Sequence, residues 1–120
     1  MIIAVTARGK DIESPVDPRF GRAQWFLVVD TESGGFEAVN NSQNLDLPQG
    51  AGIQAAQLVT RCNVEALLTG HCGPKAFRTL SAAGVKVYTQ AGGTVREAVE
   101  KFKAGELAAI TGPDVEGHWV

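Results

Sequence analysis

No apolar run in this sequence approaches the roughly 18 residues that a membrane-spanning helix needs. The opening stretch, MIIAVTARGKD, also lacks the long apolar core of a secretory signal. Both absences lead to the expectation of a soluble, cytoplasmic protein with no membrane partner. Positive charge is scarce as well: 11 Lys and Arg stand against 13 Asp and Glu, a formal net charge of −2. No global field exists to hold nucleic acid, so any anion site must be built locally. Cysteine is limited to Cys62 and Cys72, and a hydrophobic chain of this size has no need of a disulfide framework, so both thiols are read as reduced. Internal repeats, low-complexity tracts and dividing linkers are missing too. What remains is 120 residues, 44% of them hydrophobic, which suits one domain with a modest core. We place it at 1–110, with a loose tail over 111–120 that carries His118 and Trp119 without a supporting frame.

The apolar run over 2–5 reads as a strand buried on both faces, ending at Thr6 before a long, charged, irregular loop. Residues 24–30 and 36–40 read as an antiparallel hairpin across the turn TESGG. A second polar loop, 41–52, leads into a helix whose apolar face is Ala51, Ala55, Leu58, Val59 and Cys62, which turns Cys62 inward. From there strands and helices alternate: strand 64–69, helix 74–83, strand 85–89, helix 95–103. Short links between them imply parallel strands joined by right-handed crossovers. Thr94 and Glu97 fit a capping box, and Gly105 stops the last helix. The expected architecture is a mixed sheet of five strands with about three helices.

In such a sheet, ligands gather where strand ends meet helix beginnings. GHCGPKA, residues 70–76, occupies that position. Gly70 and Gly73 permit close backbone approach, Pro74 suits a first helical turn, and Lys75 adds a charge to the positive end of the helix dipole. The chemistry on offer is anion binding by amides and a cation, with ordinary helix capping as the plainer alternative. A nucleotide-hydrolysing phosphate loop is not expected, because its spacing is absent and no Ser or Thr follows Lys75. His71 and Cys72 lack the partners of a zinc site, and Cys72 lacks a resolving thiol or an evident base. Imidazole and thiolate do suit metal–sulfur species, so both stand as metal-ligand candidates. A second cationic stretch, DPRFGRA, holds Arg19 and Arg22 around Phe20 and Gly21. Its plainer reading is a solvated turn with Phe20 packed on the core. Arg8 and Lys10 stand close enough in sequence to join the same positive rim.

Four features occur in order: FGRA before the second strand, GAGIQAA at the first helix, GHCGPKA, and then LSAAGVKVY. In this set the chain resembles the dinitrogenase iron-molybdenum cofactor biosynthesis family over nearly its whole length. The resemblance implies a ribonuclease-H-like α/β fold and the binding or carrying of an anionic metal–sulfur cluster, without catalysis. A single domain is most similar to stand-alone members, for which the implied cargo is a molybdenum–copper sulfide cluster held without covalent attachment. Carried over by motif, the site comprises Gly70, Gly73 and Pro74, the turn Phe20, Gly21 and Arg22, and Gly50 with Gly52. His71 and Cys72 are not fixed by the motif and rest on their chemistry alone. A donor or acceptor protein is an implied partner. The fold raises a nuclease as a rival, but two-metal cleavage needs clustered carboxylates and the first strand carries none. A protein-interaction or small-anion-binding regulatory module remains the alternative from a different class.

Overall fold

The computed structural model describes residues 1–44, 47 and 50–112. The stretch holding His118 and Trp119 lies outside them. Strand β1 (Ile2–Ala7) grows from the apolar run and stays paired beyond Thr6, because Thr6 and Ala7 face Phe26 and Trp25 of the antiparallel β2 (Trp25–Asp30). That strand therefore outlasts its apolar run by two residues. β2 turns back through Gly34, whose φ of 80° suits glycine, into β3 (Phe36–Asn40). A short 3-10 turn (Ser42–Asn44) then leads toward α1 (Ala51–Arg61).

The rest alternates as expected: β4 (Ala66–Leu68), α2 (Pro74–Ala82), β5 (Lys86–Tyr88) and α3 (Val95–Lys103). β4 runs parallel to β1, and β5 parallel to β4. The sheet order is β3-β2-β1-β4-β5, mixed, with β2 antiparallel to both of its neighbours. β4 and β5 are shorter than their apolar patterns, although chain flanking them remains tied to the sheet: the Glu65 amide donates to Ile2 and the Thr69 amide to Tyr88. The outer edge of β5 is covered by later chain, with the Ile110 amide donating to Val87 at 2.8 Å.

Alternation along the strands builds two cores, one on each face of the sheet. Ala4, Phe26, Leu67 and Val87 face α1 and α2, which bury Ala55, Ala56, Val59, Ala76 and Leu80 against them. Ile3, Val5, Leu27, Val29 and Leu68 face α3, which contributes Val95, Ala98 and Val99. Cys62, expected inside, is half-buried at the end of α1, where its thiol lies 3.4 Å from the Leu58 carbonyl oxygen. Because β1, β4 and β5 all point the same way, the loop after β1 and the starts of α2 and α3 share one end of the sheet. No described helix is long and apolar enough to cross a membrane.

Candidate functional site

The turn after β1 is anchored before it reaches its arginines. The Asp17 amide donates to the Thr6 carbonyl at 3.0 Å, and the Thr6 hydroxyl donates to the Asp17 carbonyl at 2.7 Å. The Thr6 oxygen also lies 3.1 Å from the Thr69 hydroxyl, which ties the ends of β1 and β4 together below the turn. Next, the His71 amide donates to the Pro18 carbonyl at 2.8 Å, and Arg19 bridges His71 in parallel register. This crossing explains Gly70: a Cβ there would stand 2.6 Å from both Cα and O of Pro18, so only glycine lets the two backbones pass.

Gly21 makes the matching contact on the other side. A Cβ on Gly21 would fall 3.0 Å from Cα and 3.1 Å from N of Gly52 in the first turn of α1. The turn 17–22 is thereby wedged between the start of α1 and the start of α2, and the three separated sequence stretches meet at one place. Phe20 is buried in the α1/α2 core, its ring centroid 5.4 Å from that of Phe26. Arg22 is half-buried and its Nη1 donates to the Leu47 carbonyl at 3.3 Å. Arg19 keeps a side chain 58% exposed, so its guanidinium remains open to a ligand.

Both helix starts at this site begin on glycine. α1 is capped by Gly50 at φ 80°, and α2 by Gly73 in extended conformation with Pro74 following; neither start has a side-chain cap or an acid in its first turn. Gly73 O accepts the first helical bond, from Phe77, while the Gly73 and Lys75 amides meet no acceptor among the described residues. Unpaired amides at a helix start carry the positive end of the dipole and favour an anion. Lys75 is exposed there, as is His71.

Two expectations change at this point. GHCGPKA is read as offering its amides to an anion, yet that of His71 is taken by Pro18, and the close approach at Gly70 serves the chain itself. Lys10 was expected on the same rim, yet its Nζ stands 5.2 Å over the ring of Trp25, which packs against the α3-side core. Cys72 is fully buried in the α1/α2 core, and no cysteine is in a disulfide. Burial, first, and then Glu37 push the Cys62 thiol above its ordinary range, which makes it a poor thiolate. Among the described residues, no three His, Cys, Asp or Glu side chains converge on a metal position.

Sequence patterns missed a set of buried polar groups beneath the site. Asp17 is 5% exposed, and the Asn41 side chain donates to Ala23 while Asn44 donates to Asn41, both at 2.7 Å. The Asp-Pro dipeptide at 17–18 is an available turn signal, but nothing local reveals that Asp17 is buried.

Against known protein families, residues 1–105 match the dinitrogenase iron-molybdenum cofactor model. The chain belongs to that family. The apo form of the orange protein from Desulfovibrio gigas superposes with a TM-score of 0.93 at 46% identity, covering 95% of this chain and 96% of that one. A NifB-like protein from Thermotoga gives a TM-score of 0.80 at 43% identity over 92% and 93% of the two chains. An uncharacterised protein of Methanocaldococcus jannaschii is 29% identical over 104 residues, covering 80% of this chain and 87% of its own length.

Proposed function

We propose that this protein is a non-enzymatic carrier that holds an anionic metal–sulfur cluster at the sheet end where turn 17–22 meets α1 and α2. One observation carries the reading: two glycine-capped helix starts lie against an arginine-bearing turn, through a crossing at Gly70 that only glycine allows and a tight approach of Gly21 to Gly52. Family membership and the likeness to the orange protein and to a NifB-like protein support cofactor traffic as the setting. The finer identity we assign, a molybdenum–copper sulfide cluster, follows the stand-alone members that the chain resembles.

Each residue then has a part. Gly21, Gly52 and Gly70 set the spacing, and Gly50, Gly73 and Pro74 begin the two helices without a side-chain cap. Arg19, Arg22 and Lys75 balance the negative charge of the cargo. Cys72 and Phe20 form the apolar floor beneath, so the exposed imidazole of His71 is the side chain better placed to touch a metal. Amides and cations hold an anion without forming a bond to it, which suits cargo that must later pass to a protein partner. The carrier unit spans residues 1–110 and works in the cytoplasm.

Anaerobic reconstitution with tetrathiomolybdate and Cu(I), followed by desalting, tests this. The expected result is a protein fraction that keeps visible charge-transfer absorption. A colourless fraction contradicts the proposal, and colourless protein that retains phosphate instead favours the small-anion regulatory module.

A further inference from the structure

We infer that Asp17 is a positioning residue that, through Arg19, weakens the grip of the site and sets how readily its anionic cargo leaves. The inference rests on the carrier reading above. Asp17 Oδ1 accepts the Arg19 amide at 2.9 Å and lies 3.9 Å from Arg19 Nε. Its side chain is 7% exposed against 58% for Arg19, so a shielded carboxylate sits behind an open guanidinium. The main chain of Asp17 is held on both sides by Thr6, and the neighbouring Pro18 is held by His71, so the carboxylate cannot drift from the site.

Construction of the turn does not require that charge. An asparagine or serine would accept the same amide without the cost of burying a carboxylate. A fixed negative charge also opposes any anion beside Arg19 and offers the guanidinium a competing partner. For a site that only needed to bind tightly, this is a defect. In a carrier, it limits how firmly Arg19 can commit to the cargo.

The test compares release of tetrathiomolybdate–copper cargo from intact wild-type protein, Asp17→Asn and Asp17→Ser, by decay of visible absorption after transfer to cargo-free buffer. Thermal melting of the unloaded proteins is followed in parallel. The expected result is release about five-fold slower in Asp17→Asn, with melting unchanged, and an effect below about two-fold when Arg19→Ala is also present. Release at the wild-type rate in both single variants overturns the inference, as does an equal effect with and without Arg19. Loss of folding in both variants assigns Asp17 to structure alone and overturns it as well. A wild-type protein that keeps no colour overturns the carrier reading itself, and a coloured wild type with insensitive variants overturns only this inference.

Discussion

The starts of α2 and α3 follow neighbouring parallel strands, yet one is closed by a capping box and the other has no side-chain cap. At α3 the Thr94 hydroxyl accepts the Glu97 amide at 3.1 Å, and the Glu97 carboxylate accepts the Thr94 amide at 2.8 Å. The next two amides, of Val95 and Arg96, donate to Ser14 and Ile12 of the 8–16 loop, and Glu13 pairs with Arg96 at 2.9 Å. At α2 a glycine stands where the threonine does, a lysine follows, and no acid occupies the first turn. The same helix-end electrostatics stabilises the fold at α3, whereas at α2 no side-chain cap uses it, and the proposed carrier function gives it to the cargo.

The largest effect is expected from closing the distance that lets the open start form. Gly70→Ala puts a Cβ 2.6 Å from the backbone of Pro18, which cannot give way as a flexible side chain would. We expect a loss of about 3 kcal/mol in urea unfolding, together with loss of cargo retention. Gly21→Ala meets Gly52 at 3.0 Å and should cost about 1 kcal/mol, with retention again reduced. Destabilisation by Gly70→Ala no greater than that of Gly21→Ala would break the account of the crossing.

Charge should matter next, and only at the open end. Arg22→Ala and Lys75→Ala are each expected to weaken cargo retention about ten-fold. Lys75→Ala should leave stability within about 0.5 kcal/mol of wild type, since that side chain is exposed. Unchanged retention in both variants would remove the site from this end of the molecule.

At the closed end the expectation reverses. Thr94→Ala should cost about 1 kcal/mol of stability and leave retention untouched. A smaller effect comes from pH. The Thr94 amide, first, and its hydroxyl hold the Glu97 carboxyl below the ordinary value of 4.5. A depressed folded value means the contribution is present above 4.5 and is lost as pH falls through the folded value. Acidification should therefore lower the protection factor of the Thr94 amide, its exchange taken relative to the intrinsic rate at the same pH, in wild type, with less change in Glu97→Gln.

The closed end was also the more legible one. Thr94, Glu97 and Gly105 mark both limits of α3 from local chemistry, and the hairpin pattern, with only partial alternation, marks β3 at the same residues that the structure gives. The open end was legible as a set of glycines and cations, but their uses were not. Gly70 invites a ligand in sequence, yet Pro18, 52 positions earlier, takes that approach. Lys10 looks like part of an anion rim until Trp25 is seen beneath it. The burial of Asp17 depends on β1, β4 and the 70–72 segment converging, a tertiary event with no periodic trace.

Amide chemical shifts, followed while tetrathiomolybdate and Cu(I) are titrated anaerobically into isotope-labelled protein, test most directly whether the open helix starts hold the cargo. The account predicts saturable shifts at Gly73, Lys75 and the first turn of α1, with Thr94 to Glu97 unmoved. Shifts absent from those amides, or equal at the start of α3, would contradict it.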